Sequence, residues 1–304
     1  MLRHVFGLDG QVAGERLADA SSPLTSQALT VFQVKDGLIS VKQPLRHDVE
    51  PDWGAELAAS PERLVGVGFE HFRVELPEEP YGGHHQERGY NAFYLNDLSH
   101  GFMRQVVIHN ADSAILSDQC DHLTLSGVRV TGRPGHYGIH LGDVESVLVR
   151  DFAIEADEHH SLSFNTGSRG SVFSKGSVVR PKLDQHRGRN HQNLFDSIAG
   201  IEDGDASTLF QHGGANYWGP THGAFNTFWN IDLRLASPER VKAPLMLSGV
   251  SDAGPARIVG LHANVPLQVS YPGAYIEGLG KPGLASPSLY DEQLRRRLAA
   301  SAAE

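Results

Sequence analysis

The chain of 304 residues carries 26 Lys and Arg against 36 Asp and Glu, which gives a formal net charge of −10 at pH 7. Phosphate binding needs clustered basic side chains, and no such cluster is visible, so we expect no nucleic-acid partner. The single cysteine, Cys120, excludes an intrachain disulfide. We expect a soluble chain with no membrane partner, because no run approaches about 20 apolar residues and the N-terminus lacks the apolar core of a signal peptide. The compartment stays open, and so does a role as one module of a longer secreted protein.

Residues 1–60 are predicted to form an N-terminal cap segment built around a β-hairpin. Thr30–Val34 and Leu38–Val41 have the pattern of two strands, and Asp36-Gly37 is a favoured two-residue hairpin turn. An open strand edge invites aggregation, so we expect this segment to cover the N-terminal end of the domain that follows.

Residues 61–270 contain a repeated six-residue pattern: apolar or small, any, polar or glycine, apolar or small, any, apolar. Copies begin at Phe69, Met103, Leu125, Val149, Ser174, Phe195, Phe228 and Ile258. The four starts from Met103 to Ser174 lie 22, 24 and 25 residues apart, as in a solenoid whose repeats bury their apolar sides by stacking. Apolar and polar residues alternate as they do in strands. The pattern therefore predicts an all-β parallel β-helix over residues 61–270.

Two gaps are longer than this period and predict inserts, where solenoids usually place binding surfaces. The first insert is residues 77–89, and the second contains residues 211–223. The first insert offers His84, His85, Glu87 and Arg88, which are expected to wall one side of a groove.

Residues 271–304 are predicted to form a tail with a short helix. Ser288–Asp291 has the spacing of a capping box, although Asp stands where Glu is usual. Leu289, Leu294 and Leu298 would then share one helical face against the solenoid. Arg295–Arg297 is interpreted as a solvated face, with an anionic docking site as the alternative.

Seventeen histidines is a high number for this length, and several of them follow the repeat period. Asp112, His136, His160 and Asp184 are each 24 residues apart, so they would lie on successive repeats about 4.8 Å from one another. Two imidazoles between two carboxylates could act as a coupled acid–base set near neutral pH. The alternative is a polar ladder whose members only bond to one another.

The densest polar segment of the chain is residues 183–193. It contains Asp184, His186, Arg187, Arg189 and His191. Because so many ionisable groups are costly to bury, a groove is the simpler explanation for them. Arg133 would extend the same patch from an earlier repeat. The second insert adds Tyr217, Trp218 and His222. The Tyr and Trp rings suit stacking on sugars, with ordinary loop packing as the alternative.

No histidine group has a recognised zinc spacing, so we do not expect a catalytic zinc site. No cofactor is required by the sequence, and the metal is unknown. Carboxylates leave Ca²⁺ open as a ligand.

Several short segments carry a resemblance to a known superfamily. They are Gly89–Asn91, Asn110–Asp112, Gly132–Gly138, His186–Gly188, Asn193–Phe195 and Gly219–Ile231. Over about residues 64–264 the chain resembles the pectin-lyase-like superfamily, and more narrowly its bacterial β-helix proteins of the pectate-lyase type. The resemblance implies a single-stranded right-handed parallel β-helix. It also implies carbohydrate-active enzymes, namely lyases, glycoside hydrolases, esterases and epimerases, together with non-catalytic relatives.

Two catalytic signatures of that superfamily are missing from the sequence: the Asp pair of polygalacturonases and the Lys, Arg and Glu pattern of alginate and chondroitin lyases. The functional expectation therefore rests on analogy of fold. Our first hypothesis is an enzyme that cleaves an acidic polysaccharide in a groove along the repeats. As a lyase it would use His136 or His160 as the base and Arg187 or Arg189 to stabilise negative charge.

A glycoside hydrolase is the second enzymatic version, and it would pair Asp184 with Glu202, Asp203 or Asp205. The richness in His and Arg favours the lyase. A hypothesis of another class is a non-catalytic β-helix that binds glycans or has a structural role. The partner is a polysaccharide or oligosaccharide, and a homo-oligomer stays open.

These arguments give two sets of predicted site residues. The catalytic set is His136, His160, Asp184, His186 and Arg187. The substrate-binding set is Arg133, Arg189, His191, Tyr217, Trp218 and His222.

Overall fold

A computed structural model of the chain describes residues 1–7, 24–202, 208–219, 223–249 and 254–302. These residues are rich in strands and contain two α-helices, α1 (Leu2–Phe6) and α2 (Leu289–Ser301). Within the described ranges, neither helix is long and apolar enough to cross a membrane.

The strands are short and most contain eight residues or fewer. In chain order they are β1 (Val31–Lys35), β2 (Leu38–Val41), β3 (Leu64–Val65), β4 (Gly68–Glu75), β5 (Asn91–Asn96), β6 (Leu98–Ser99), β7 (Phe102–His109), β8 (Ser113–Asp118), β9 (Thr124–Ser126), β10 (Arg129–Thr131), β11 (Gly135–Gly142), β12 (Leu148–Arg150), β13 (Ala153–Ile154), β14 (Glu158–Asn165), β15 (Val172–Val179), β16 (Leu183–Gln185), β17 (Leu194–Glu202), β18 (Thr227–Trp229), β19 (Asp232–Leu235), β20 (Leu245–Ser248), β21 (Arg257–Val259), β22 (His262–Ala263), β23 (Leu267–Ser270) and β24 (Tyr275–Glu277).

Thirteen of these strands form one long parallel sheet, and the copies of the six-residue pattern are its rungs. The partners in register are Phe69, Met103, Leu125, Val149, Phe173, Phe195, Phe228, Ile258 and Ile276. Seven of the eight predicted starts are confirmed. The predicted start at Ser174 is wrong by one residue, because Phe173 pairs with Val149. Ile276 is a ninth copy that the pattern did not predict.

The pattern forms strands because its apolar positions all face one core. From Met103 to Ile258 the first position of each copy is at most 1 % exposed. Aromatic rings stack along this column, with Phe195 centred 5.8 Å from Phe173 and 5.1 Å from Phe228. Fully burying side chains of this size stabilises the fold by about 1.5–3 kcal/mol each.

The third position of every copy has left-handed backbone geometry, with φ between 53° and 68°. The column consists of His71, Gln105, Gly127, Asp151, Lys175, Ser197, Asn230, Gly260 and Gly278. A single left-handed residue turns the chain sharply, and several rungs are split into two strands at this point, as β9 and β10 are. The polar or glycine requirement of the pattern is therefore a backbone requirement, since Gly, Asn and Asp accept this conformation best.

Two further ladders complete the repeats. Strands β5, β8, β11, β14 and β16 form a second parallel sheet of five. A third ladder is made of single-residue parallel bridges through Ser99, Asp121, Glu145, Arg169, His191 and Ala224. The middle repeats contribute to all three ladders, so neighbouring repeats bury one another's apolar sides.

The predicted hairpin is confirmed: β1 and β2 pair antiparallel, and Asp36 and Gly37 both have positive φ. Its predicted position is wrong. The N-terminal segment runs along the third ladder, where Ala28 N donates to Glu145 Oε2 at 2.8 Å and Arg46 Nη2 lies 3.1 Å from Glu145 Oε1. These contacts are in the middle of the stack, so the segment flanks the repeats.

The C-terminal helix α2 is confirmed with its cap. Asp291 N donates to Ser288 Oγ at 3.1 Å. The helix docks through its first turn, because Leu289 N and Ser288 Oγ both donate to the fully buried Asp196. The expected apolar face is not what holds it: α2 has no buried residue, and Leu298 is 59 % exposed.

Candidate functional site: a histidine cluster around a buried aspartate

Five imidazoles and one carboxylate meet beside the five-stranded sheet. His136 lies on β11, His159 and His160 on β14, Asp184 on β16, and His186 directly after β16. His84 reaches them from the first insert. We call His84, His136, His159, His160, Asp184 and His186 the histidine cluster.

Connectors between the long sheet and the five-stranded sheet position the cluster. In the middle repeats they are short, such as residues 110–112 between β7 and β8 and 132–134 between β10 and β11. The first insert lies at this corner, between β4 and β5. The second insert begins beside β16, where Gln185 N donates to Gln211 O at 2.9 Å, and ends before Ala224 of the third ladder. The first insert therefore brings His84, and the start of the second brings Gln211, to the histidines of β11 and β14.

The predicted equal spacing of Asp112, His136, His160 and Asp184 does not describe their register. His160 pairs with Tyr137, and Asp184 pairs with Ser163. The structure still brings three of the four together: the ring centroids of His136 and His160 are 5.4 Å apart, and His160 Nδ1 lies 3.1 Å from Asp184 Oδ2. Asp112 is held apart by its ion pair with Arg133, at 2.6 Å.

Asp184 is the centre of the cluster and is fully buried. Its carboxylate accepts hydrogen bonds from Ser163 Oγ at 2.7 Å and Gly213 N at 2.7 Å, and His186 Nδ1 lies 2.8 Å away. Burial opposes its ionisation, but the charges and hydrogen bonds of His160 and His186 together hold its pKa well below the ordinary value. Asp184 is thus an ionised carboxylate shared by two imidazoles.

The shared carboxylate fixes which nitrogen of each ring carries a proton. Nδ1 of His186 and Nδ1 of His160 both face Asp184 Oδ2. His160 Nδ1 also lies 2.8 Å from Gln211 Oε1, and Gln211 Nε2 donates to His159 O at 3.0 Å. A neutral ring that donates from Nδ1 has its lone pair on Nε2. Both rings therefore use Nε2 as the acceptor nitrogen.

His136 is engaged at both of its nitrogens. Nδ1 lies 3.2 Å from Glu87 Oε1, and Nε2 lies 3.1 Å from His84 Nε2. Burial, followed by the charge of His160, lowers the pKa of His136 to about 3. Burial also lowers the pKa of His84 and brings that of His159 to about 4. These three rings are neutral at pH 7 and act as hydrogen-bond or ligand nitrogens there.

The structure brings four of the predicted site residues together in the histidine cluster: His136, His160, Asp184 and His186. Arg187 follows His186 but points towards the second insert, where Nη1 donates to Gly219 O at 3.4 Å. Tyr217 and Trp218 lie on that insert with ring centroids 5.6 Å apart, and Tyr217 is 42 % exposed.

Arg133, Arg189 and His191 are not brought to the cluster. Arg133 is paired with Asp112, and burial lowers the pKa of Arg189. His191 is buried in the third ladder, where its ring contacts Phe6 edge-on at 5.0 Å. His191 therefore packs the N-terminal segment. His222, Asp203 and Asp205 lie outside the described residues, and Glu202 is buried.

Sequence reasoning missed four contributors to the site. Gln211 clamps His159 and His160, and Tyr137 stacks on His160 at 4.8 Å. Glu158 is buried beside His159 in β14, and the half-buried His140 has its ring 4.9 Å from that of Tyr137. Burial raises the pKa of Glu158 to about 8, and its Oε2 has no hydrogen-bond partner among the described residues. The pair His159-His160 and its neighbour Glu158 were visible as an unusually polar strand, which was the available signal.

Within the described part of the chain, the histidine cluster contains two sets of three side chains that could hold a metal ion. His84, His159 and His160 each offer one nitrogen, and these nitrogens lie within 4.8 Å of one another. His160, Asp184 and His186 form the second set, but both rings already face the Asp184 carboxylate, which explains why the three lie close together. A third group, His100, Asp121 and His122, lies beside the third ladder.

Comparisons of the chain with protein-family models, with curated proteins and with solved structures each found no match. The arguments about function therefore depend on the geometry of the cluster.

Proposed function

We propose that the chain is a single-stranded right-handed parallel β-helix and that it cleaves an acidic polysaccharide by β-elimination. The parallel rungs in register, with three ladders through the middle repeats, support the fold. The resemblance to pectin-lyase-like proteins supports the substrate class, and the exposed ring of Tyr217 beside Trp218 suits stacking on a sugar.

One observation carries the proposal of catalysis: the buried Asp184 holds His186 through Nδ1, at 2.8 Å. A carboxylate that orients an imidazole in this way leaves Nε2 as a base. The side chain of His186 is 13 % exposed, whereas that of His160 is 4 % exposed and stacked on Tyr137. His136 already uses both nitrogens. We therefore assign the base to His186 in place of His136 or His160.

In the proposed reaction His186 Nε2 removes the proton on the carbon next to the uronate carboxylate. A carbon–carbon double bond forms, and the glycosidic C–O bond on the neighbouring carbon breaks. The leaving oxygen takes a proton from water, and His186 later returns its own proton to water. Arg187, the next residue, supplies positive charge for the carboxylate as negative charge develops on it. Arg189 is buried and less suited to this role.

The burial of Asp184 disfavours the hydrolase version. A glycoside hydrolase needs two carboxyl groups that reach opposite sides of the glycosidic bond. Asp184 is fully buried, and Ser163, His186 and Gly213 are bound to its oxygens. Its role is therefore to hold the imidazoles.

The test is a panel of polyuronides incubated with the protein and followed by the ultraviolet absorbance of the unsaturated product. We expect His186→Ala to lower kcat by about 10²–10⁴-fold, the usual contribution of a general base. His100→Ala is the matched control, because His100 is an exposed histidine stacked on another one, His122, outside the cluster.

Two results would contradict the lyase. Reducing ends released without the unsaturated product would indicate hydrolysis. No product from any glycan would leave the non-catalytic alternative, in which His186→Ala changes glycan affinity only or changes nothing.

A further inference from the structure

The three imidazoles of His84, His159 and His160 have no common role in the proposed reaction. They come from the first insert and from β14, and one nitrogen of each lies within 4.8 Å of the others. Neutral imidazole is the preferred ligand of Zn²⁺ and related transition-metal ions. Three histidines with an open fourth position are also the ligand set of several catalytic zinc sites.

His160 is oriented in the way that metal ligands are. Its Nδ1 lies 3.1 Å from Asp184 Oδ2 and 2.8 Å from Gln211 Oε1, so Nε2 carries the lone pair. Histidine ligands almost always give their other N–H to a carboxylate or carbonyl group, which fixes the ring and raises its basicity. The same Gln211 donates to His159 O at 3.0 Å and so ties the second ring's backbone to the first.

His84 is held over the same place by other rings. It stacks on His159 with centroids 3.9 Å apart, and its Nε2 lies 3.1 Å from His136 Nε2. Ligands of a tetrahedral Zn²⁺ ion at about 2.0–2.1 Å are about 3.3 Å from one another. The nitrogens must therefore draw together slightly on binding, and His84 can move because its side chain is exposed on the insert.

We propose that His84, His159 and His160 bind one divalent transition-metal ion of the Zn²⁺ type. The site combines two adjacent residues of a strand with a third from a distant insert, so no sequence spacing reveals it. The proposal differs from the expectation, drawn from sequence spacing, that there is no catalytic zinc site.

The inference stands apart from the lyase proposal, because binding is measured without substrate. A metal ion beside His186 would also be able to hold a substrate carboxylate, and that role alone rests on the proposed function. If the protein binds the ion and cleaves no glycan, the metal site stands and the lyase does not.

The third group of possible ligands, His100, Asp121 and His122, provides an internal contrast. Asp121 is already engaged by Arg63, by Ser99 Oγ at 2.6 Å and by His122 Nδ1 at 2.7 Å. A cation there would compete with a guanidinium for the same carboxylate. We expect this group to bind the ion more weakly than the histidine cluster.

The experiment is titration of the full chain, stripped of metal by a chelator, with Zn²⁺ in a calorimeter and with Co²⁺ in a visible-absorption cell. We expect one high-affinity site per chain and the intense visible bands of four-coordinate Co²⁺. His84→Ala should weaken binding by about 100-fold or more, and Asp184→Asn by about 10–100-fold, the usual effect of losing the partner of a ligand. His84 is exposed, so its variant keeps the fold, and circular dichroism checks this.

His100→Ala is again the matched control and should leave affinity and bands unchanged. The proposal is overturned if the wild-type chain takes up no Zn²⁺ at micromolar concentration. It is also overturned if His84→Ala and His159→Ala bind as the wild type does, or if His100→Ala abolishes the site.

Discussion

Replacing Asp184 by Asn tests the centre of the histidine cluster without changing its size. The aspartate offers two oxygens to four donors: Ser163 Oγ, Gly213 N, and Nδ1 of His160 and His186. Asparagine keeps one oxygen and presents an NH₂ group in place of the other. Oδ2 faces three of these donors and Oδ1 faces only Gly213 N, so an asparagine with its oxygen at the Oδ2 position leaves Gly213 N facing another donor. The other three donors lose a charged acceptor.

A buried donor left without an acceptor costs about 1–3 kcal/mol, and more when the lost partner is charged. One such loss, together with the loss of charge for the other three donors, predicts a decrease of about 1–3 kcal/mol or more in the free energy of unfolding. Domains are typically stable by only about 5–15 kcal/mol, so the change is large. Asp157 is the control, because its ion pairs with Lys182 and Arg180 are partly exposed and exposed pairs contribute only about 0–1 kcal/mol.

Denaturant unfolding of Asp184→Asn and Asp157→Asn, followed by circular dichroism, measures both values. The slope of the transition should match the wild type, which shows that the same surface unfolds. A loss below about 1 kcal/mol for Asp184→Asn would refute the reasoning, since it would mean that Asp184 is not an ionised acceptor of four hydrogen bonds.

Two further predictions concern residues away from the cluster. Burial lowers the pKa of His191 from 6.5 to about 3, so between these values the unfolded chain binds a proton that the folded chain excludes. The free energy of unfolding therefore has its full value above about pH 6.5 and decreases by up to about 5 kcal/mol as the pH is lowered. We expect His191→Gln to make this decrease smaller in unfolding titrations at several pH values, and an unchanged pH profile would contradict the prediction. Asp196→Ala removes the acceptor of Ser288 Oγ and Leu289 N. We expect the free energy of unfolding to decrease by about 2–4 kcal/mol and proteolysis at α2 to become faster. Cleavage at the wild-type rate would contradict the conclusion that Asp196 holds the helix.

The rungs of the long sheet were predictable because each copy repeats both a side-chain pattern and a backbone requirement. The single slip occurred at Ser174-Lys175, where the pattern also fits one residue late. Phe173 is the true partner of Val149, and it is buried while Ser174 donates to Asp196 Oδ2 at 2.8 Å. A buried serine that bonds to a carboxylate looks the same in sequence as a small core residue.

The site was predictable only in part, because its residues meet through connectors of unequal length. Counting 24 residues placed His136 and His160 opposite each other, whereas Tyr137 is the true partner of His160. His84 and Gln211 come from inserts whose path no period describes. The polar segment around Asp184 was expected to face a groove, but Asp184, Arg189 and His191 are buried. Burial of charged groups requires partners, and the partners of Asp184 come from distant parts of the sequence.

The loops between the ladders, which include both inserts, separate two kinds of change in this protein. Met103 and Leu125 pair in register across 22 residues, and Phe195 and Phe228 do so across 33. Doubling the length of a loop costs only about 0.6 kcal/mol of closure entropy. Residues added or removed in these loops can thus change the surroundings of the histidines while the rungs remain as they are. The range of ligands and the thermal stability can therefore change almost independently in this chain. Grafting a different insert between β4 and β5 would change which ligands bind, with little effect on thermal stability.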